Sequence, residues 1–346
     1  MSDTLKILEK LSMIPGASGD EARVRDEIIS QIGDCCKLTV DAPGNLICDY
    51  KGKKRAKNKV MFCAHMDEVG FIITGIEDSG LLRFACVGGI DSRVVPGKSI
   101  IIGERRIHGV IGAKATHHLK EKEKSGAISP DKLYIDVGAN DKHDALNFVR
   151  PGDRAVFYSG FTGLLENKIM GRAFDDRAGC ALLISMIQKK PEYDCVFVFT
   201  TQEETGCSGA MAAGYFVNPD ISVVVEATTA SDIAGVEPNM TVCKLGEGAA
   251  VSFMDKGAVY DAELYRLALK TAVENKIPCQ SKSGVFGGND ARALQAARGG
   301  SRILAVSLPC RYLHTGNCVL DKTDVKNTEK LLDKLLLELC GSSLGI

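Results

Sequence analysis

The chain has no tryptophan, and aromatic residues make up only 6% of it. A wide sugar-stacking surface is therefore not expected, because such surfaces are assembled from aromatic faces. No stretch approaches the roughly 18 consecutive apolar residues that a bilayer-spanning helix needs, so a membrane is not an expected partner. The N-terminus, Met1-Ser2-Asp3-Thr4-Leu5-Lys6, lacks the basic region and apolar run of a secretory signal. Excess charge of one sign is missing too: 43 Lys and Arg stand against 44 Asp and Glu. That balance argues against nucleic acid as a main partner. The 13 cysteines are odd in number and contain no C-x-x-C pair. Cys63, Cys86, Cys195 and Cys310 sit inside apolar runs, where cysteine acts as a small hydrophobe. Free thiols in a reducing, cytoplasmic setting are the expectation.

What is present is a chain of 346 residues, 45% hydrophobic, long enough for roughly two domains. Apolar strand-like runs alternate with helical spacing over residues 1–66 and again over 166–346. Predicted helices include Leu5–Leu11, a segment ending near Ile32 with Ser18 or Asp20 as its cap, Asp175–Gln188, Ala262–Asn275, Asp290–Ala297 and Asp324–Leu339. Predicted strands include Val60–Ala64, Cys195–Thr200, Ile221–Val225 and Ile303–Leu308. Residues 67–165 differ: short strands separated by glycine-rich turns predict a small inserted β-barrel or sandwich. Leu119–Ser129 is polar and reads as an exposed loop. The expected fold is α/β, a central mixed sheet flanked by helices, interrupted by a β-rich domain.

Chemistry concentrates where predicted strands and helices end. Glu203 and Glu204 follow the apolar run Cys195–Thr200, at the carboxyl end of a strand, where open α/β sheets carry their sites. Two adjacent carboxylates there repel unless one is protonated or a cation lies between them. A solvated turn is the structural alternative. His65 and Asp67 leave the strand Val60–Ala64. Residues two apart on an extended segment share a face, so Asp67 can hold the far nitrogen of a ligating His65. Asp175 and Asp176 open a helix. One can bridge two cations while the other pairs with Arg177, and helix capping is the alternative. Glu226 ends a run of three valines, and a carboxylate buried there needs a partner. His314 follows Arg311-Tyr312-Leu313. Jointly, two histidines and several carboxylates at element ends form a nitrogen-and-oxygen donor set suited to two divalent metals. In such a site a bridging carboxylate joins the ions, and a neighbouring glutamate serves as base toward the water between them.

The motifs Ala64-His65-Met66-Asp67-Glu68-Val69-Gly70, Ala173-Phe174-Asp175-Asp176-Arg177-Ala178-Gly179-Cys180, Gln202-Glu203-Glu204-Thr205-Gly206 and Arg311-Tyr312-Leu313-His314 resemble those of the TET-type dinuclear-metal aminopeptidases. That family includes glutamyl, leucyl, lysyl and deblocking aminopeptidases, and some relatives carry an endoglucanase label. The resemblance extends over nearly the whole chain, including Gly109-Val110-Ile111-Gly112-Ala113-Lys114 and Asp136-Val137-Gly138-Ala139 of the insert. It implies a zinc-exopeptidase-like catalytic domain over residues 1–66 and 166–346, with 67–165 as a dimerisation domain. It further implies His65, Asp175 and Glu226 at one metal and Asp175, Glu204 and His314 at the other. Glu203 would be the catalytic base and Asp67 the orienter of His65. Zinc is the expected ion, with cobalt and manganese as alternatives. Dimers would assemble into a homo-oligomeric dodecamer.

Two departures mark this chain. Glu226 stands where the family usually has Asp, and Thr315-Gly316-Asn317-Cys318 replaces Ser-Pro-x-Glu after the last histidine. The expected function is an aminopeptidase acting on peptides through a water bridging two metals. The alternatives are a metal-dependent deacylase or carboxypeptidase-like hydrolase, at which Glu226 hints, and a catalytically weak metal-binding assembly protein. A glycosidase is disfavoured, since its acid–base carboxyl pair must be free of metal. Gly287-Gly288-Asn289-Asp290 is either a loop near the substrate or a turn in which Asp290 caps a helix.

Overall fold

The computed structural model describes residues 3–119 and 126–342. Its elements run α1 (Asp3–Ser12), α2 (Ala22–Ile32), β1 (Lys37–Val40), β2 (Leu46–Tyr50), β3 (Val60–His65), β4 (Gly70–Ile76), β5 (Leu82–Val87), β6 (Ser99–Ile102), β7 (Ile107–Gly112), β8 (Tyr134–Asp136), α3 (Lys142–Leu146) and β9 (Arg154–Phe157). They continue through β10 (Thr162–Gly163), β11 (Lys168–Gly171), α4 (Phe174–Gln188), β12 (Cys195–Thr200), α5 (Ser208–Val217), β13 (Ile221–Thr229), β14 (Ala249–Val251), α6 (Ala262–Glu274), β15 (Cys279–Ser281), α7 (Ala291–Leu294), β16 (Arg302–Cys310), β17 (Cys318–Asp321) and α8 (Lys322–Gly341).

The main sheet has eight strands in the order β1-β2-β12-β3-β13-β16-β14-β15. Its centre, β12-β3-β13-β16, is parallel, and the edges pair antiparallel to it through β2 and β14. These central strands are continuous apolar runs because both faces are covered. Alternate residues feed two cores. Phe62, Phe197, Phe199, Val223 and Val225 pack with residues of α1, α2, α4, α6 and α8. Met61, Cys63, Val198, Val224 and Ala305 pack with α5 and α7. A parallel sheet with buried faces sends every carboxyl end of its central strands to one edge, so whatever follows those strands is gathered there.

The insert is a closed six-stranded barrel, β4-β5-β8-β7-β6-β9. Phe71 anchors its core, edge-to-face with Phe84 at 5.2 Å and with Phe157 at 5.1 Å between ring centroids. Closure removes the sheet edges that a sandwich would leave open. A second small sheet, β10-β11-β17, joins the chain leaving the barrel to the segment after His314. The sequence reading did not anticipate it, because these strands are two to four residues long and too short to show a period.

Several boundaries moved for identifiable reasons. Neither Ser18 nor Asp20 caps α2: its N-cap is Glu21, without a side-chain capping bond. The Ser18 hydroxyl is spent on Asp67, and Asp20 pairs with Arg23. β13 continues to Thr229, so Glu226 lies within a strand and not at its end. α5 spans ten residues, Ser208–Val217, and α7 stops at Leu294, short of the expected Ala297. Within the expected loop Leu119–Ser129, residues 120–125 lie outside the described residues.

One buried cation ties the helices to the site edge. Arg177 is fully buried, and the expected partnership with the Asp175-Asp176 pair does not form. Its Nε donates to the Met66 carbonyl at 2.7 Å, and its Nη1 to the carbonyls of Leu11 and Ile14 at 2.7 and 2.9 Å. Its Nη2 lies 3.3 Å from Glu68, which Arg172 also grips. The chain after α1 is thereby fastened beneath β3. Arg177→Met should remove a hydrogen bond from each of four carbonyls, those of Met66, Leu11, Ile14 and Gly16, and part of the Glu68 counter-charge, lowering stability by about 3–5 kcal/mol. Urea denaturation of the variant checks this; a loss below about 1 kcal/mol would contradict it.

Candidate active site

β3 and β12 end side by side, with Thr200 registered opposite His65. β13 runs parallel to β3, with Val224 opposite Cys63, which places Glu226 level with His65 on the neighbouring strand. The fourth contribution comes over the top from α4. Asp175 and Asp176 lie inside its first turn with non-helical backbone angles, joined by a cis peptide bond. The last comes from the turn after β16, where His314 sits at φ +58°. Ala173, Gln202, Cys207 and Tyr312 also take positive φ, so sharp backbone turns flank the Asp175, Glu203-Glu204 and His314 segments.

The two aspartates divide. Asp175 points outward: its Oδ1 is 3.2 Å from His65 Nε2, and its Oδ2 is 3.4 Å from His314 Nε2. Asp176 turns inward, fully buried, and accepts the main-chain N–H of His65 at 3.2 Å and of Gly179 at 2.9 Å. Gly179 is required there, because a Cβ would lie 2.5 Å from both Asp176 oxygens. Burial pushes the Asp176 carboxyl well above the usual carboxylate range. Burial would also raise Asp175, but the hydrogen bonds of His314 and His65 reverse this and hold it well below that range.

Asp67 does more than face His65. The closest contact of His65 Nδ1 is the Asp67 carbonyl at 3.1 Å, with the carboxylate at 3.5 Å. That carboxylate accepts the Ser18 hydroxyl at 2.6 Å and the main-chain N–H groups of Glu203 and Glu204 at 3.0 and 3.2 Å. It thus pins the backbone of the glutamate pair to the end of β3. Glu204 projects toward His314, whose Nε2 lies 3.2 Å from its Oε1. This oxygen is buried and receives no hydrogen bond. The other nitrogen of His314 meets the Gly89 carbonyl at 2.6 Å, so the barrel supplies its orientation. Gly88 beside it, at φ +81°, allows the close approach: a Cβ there would come within 3.2 Å of the Glu204 Cβ. The acidic partner missing after His314 is therefore replaced by a main-chain carbonyl from the insert.

Glu226, in its strand, accepts the Ser307 hydroxyl at 3.1 Å. Burial raises its carboxyl to about 7, with Lys282 and Asn289 opposing. Burial also carries Glu203 well above the usual range. Both histidines hold protons firmly despite burial. Asp175 and Asp67 outweigh it at His65, and Asp175 with Glu204 brings His314 to about 11. Imidazoles drawn to their charged form mark a strongly negative site.

Two sets of donor atoms lie within 4.8 Å of one another: His65, Glu203 and Glu204, and Asp175, Glu204 and His314. Glu204 belongs to both. Glu226 belongs to neither, but lines the same cavity, of about 230 Å³, with His65, Asp175, Glu203, Glu204 and His314. The unbonded Glu204 oxygen and the nitrogen-and-oxygen donors fit divalent cations. A third set, Glu203, Cys207 and Asp290, lies behind Glu203. Asp290 stands at the N-cap position of α7 but its side chain makes no capping bond; its Oδ2 accepts the Thr200 hydroxyl at 2.5 Å, and burial raises it to about 6. Asn289 accepts the Ala291 N–H instead. Ser18 was expected only as a helix cap and serves Asp67 instead, while Cys207 and Ser307, single small residues within unremarkable runs, gave no signal. The sequence reading also passed over Lys282, which lines the cavity.

Known proteins share this arrangement of elements and motifs. The model of the M42 glutamyl aminopeptidase family matches residues 44–331. A putative aminopeptidase of Acetivibrio thermocellus is 35% identical over 333 residues, spanning 95% of this chain and 97% of its own. The TET aminopeptidase of a marine-sediment thaumarchaeon superposes with TM-score 0.92 at 28% identity, covering 97% of this chain and 96% of that one. The TET1 peptidase of Pyrococcus horikoshii, described as assembling into a tetrahedron or a large octahedral shell, superposes with TM-score 0.86 at 36% identity over 97% of this chain and all of the other. Match, coverage and fold agree: the chain belongs to the M42 glutamyl aminopeptidase family, and by class it is an aminopeptidase of the metallo-hydrolase kind.

Proposed function

We propose that this chain removes N-terminal residues from peptides with the help of two divalent ions per subunit. His65, Asp175 and Glu226 would hold one, and Asp175, Glu204 and His314 the other, with zinc the first candidate. The observation that carries this is Glu204, which belongs to both geometric donor clusters, His65-Glu203-Glu204 and Asp175-Glu204-His314, and whose buried Oε1 receives no hydrogen bond. When bound, such ions supply Lewis acidity toward a scissile carbonyl and make a water more acidic. The chain's own residues do the rest. Glu203 sits beside these ligands with its carboxyl raised by burial. A carboxylate of raised pKa is a stronger base, suited to take the proton of the attacking water and return it to the leaving amine. Asp67 keeps the Glu203 and Glu204 backbones and His65 in register. The acidic lining of the cavity attracts the free α-amine of a peptide. By analogy with the Pyrococcus horikoshii peptidase, which can assemble into a tetrahedron or a large octahedral shell, this chain would form a homo-oligomer, with the barrel as its dimerisation domain. No helix of the described residues is long and apolar enough to cross a membrane.

Glu203→Gln should lower kcat on aminoacyl anilides by about 10²–10⁴-fold, the range for a lost general base, while metal content measured by elemental analysis stays at the wild-type level. Preference for N-acyl amino acids over aminoacyl anilides in the wild type would instead favour the deacylase reading. Removal of metal with a chelator should abolish turnover. Readdition of zinc to the stripped protein should release protons, because His65 and His314 are protonated when no cation is present. Both pKa values are raised, so protonation competes with metal more strongly as pH falls, and affinity drops with it. Calorimetry in buffers of different ionisation enthalpy measures the proton release; none at pH 7 would count against these two histidines as ligands.

A further inference from the structure

Cys207 and Asp290 do not line the catalytic cavity, yet both reach Glu203. One ligand-type atom from each of the three residues lies within 4.8 Å of the others. The backbone fixes where these side chains begin. Cys207 is the N-cap of α5, in the left-handed region at φ +60°, and its main-chain N–H reaches the carbonyls of Gln202 and Glu203 at 3.0 and 3.1 Å. Its Sγ lies 3.8 Å from Glu203 Oε1. Asp290 precedes α7 and is 1% exposed. One of its oxygens takes the Thr200 hydroxyl at 2.5 Å. The other, Oδ1, is buried and receives no hydrogen bond among the described residues. A buried carboxylate oxygen without a partner is costly, and a cation is one way to complete it.

The spacing suits an ion. Around a tetrahedral zinc, with bonds of about 2.3 Å to sulfur and 2.1 Å to oxygen, the two donor atoms stand roughly 3.6 Å apart. The distance from Cys207 Sγ to Glu203 is already close to this. Access is available from outside the catalytic cavity: Gly206 and Cys207 line a groove of about 480 Å³ between α5 and α7, with Met211, Tyr215 and Arg292. The donor set also differs in kind from the nitrogen and oxygen atoms gathered around His65 and His314. A sulfur atom favours zinc and cadmium over magnesium or calcium.

We propose that Glu203, Cys207 and Asp290 form a third cation site, which takes a thiophilic divalent ion of the zinc class and, when filled, withdraws Glu203 from catalysis. Burial keeps the Cys207 thiol protonated. The incoming ion displaces that proton to solvent and takes the thiolate. A Glu203 carboxylate held by this ion no longer accepts the proton of the attacking water, and turnover falls. This inhibitory consequence rests on the reading of Glu203 as the base; the site itself does not depend on it.

Full-length protein loaded with two equivalents of zinc per subunit is titrated with cadmium, following the ultraviolet thiolate-to-cadmium charge-transfer band and the cleavage of aminoacyl anilides. The five ligands proposed for the catalytic ions contain no sulfur, so cadmium exchanging there gives no such band. The wild type should develop the band and lose activity over one concentration range. Cys207→Ser should lose the band. Asp290→Asn, which keeps an oxygen for Thr200, should weaken cadmium binding by at least about tenfold, the loss common when even an outer partner of a metal is removed. In both variants the cadmium concentration that halves activity, each referred to its own activity before cadmium, should rise by at least about tenfold. No band in the wild type, a band unchanged in Cys207→Ser, or unchanged affinity in Asp290→Asn overturns the site. A band that depends on Cys207 beside an inhibition that does not overturns the capture of Glu203. Should the protein cleave no aminoacyl substrate, the aminopeptidase reading falls, and the cadmium affinity of Glu203→Gln decides the third ligand. Binding weakened by at least about tenfold supports Glu203 there, and unchanged binding overturns it.

Discussion

Buried negative charge is the constraint on which this molecule is built. Asp67, Asp175, Asp176, Glu203, Glu204, Glu226 and Asp290 crowd the carboxyl edge of four parallel strands, and each must be neutralised, hydrogen-bonded or given a cation. The structure meets that demand in layers. Asp67 and Asp176 are satisfied by main-chain N–H groups, and Asp67 by Ser18 as well. Glu68, nearby, is neutralised by Arg172 and Arg177. Those charges hold the framework. Asp175 and Glu204 are left facing two histidines, with one Glu204 oxygen unbonded. That residual deficit of positive charge is what a divalent ion relieves.

The two domains contribute unequally but inseparably. The α/β body gathers the side chains, because parallel strands deliver their ends to one edge. The barrel's contribution is local: through Gly88 and Gly89 it approaches Glu204 closely and gives His314 its carbonyl partner. An insert that could be taken for an appendage therefore shapes the second histidine. It also accounts for how the chain lacks the usual acidic residue after His314 and keeps that histidine oriented.

Much of this was legible in the sequence. Strand-like runs at β3, β12, β13 and β16 stand out because both faces of a parallel sheet are apolar. The residues after those runs announced themselves as ligand types, and all five expected metal ligands line one cavity. What was not legible had a short or non-local origin. β10, β11 and β17 are too brief to carry a period, and the partner of Arg177 proved to be Glu68 and not the adjacent aspartates. Asp290 offered an equal choice between capping and a place near the substrate; it holds the N-cap position without a side-chain capping bond, and its carboxylate approaches Glu203 from behind.

The sequence by itself determined the class of fold, the places where charge accumulates and the kinds of donor atoms available there. These follow from periodicity, turn chemistry and residue type, which are local properties. Only the tertiary structure decided how the carboxylates divide their tasks. Asp175 faces outward and Asp176 inward, Asp67 clamps the Glu203-Glu204 backbone, and Lys282 joins the cavity lining. Adjacent residues of one type are indistinguishable until neighbours distant in the chain provide, or withhold, their hydrogen bonds and counter-charges.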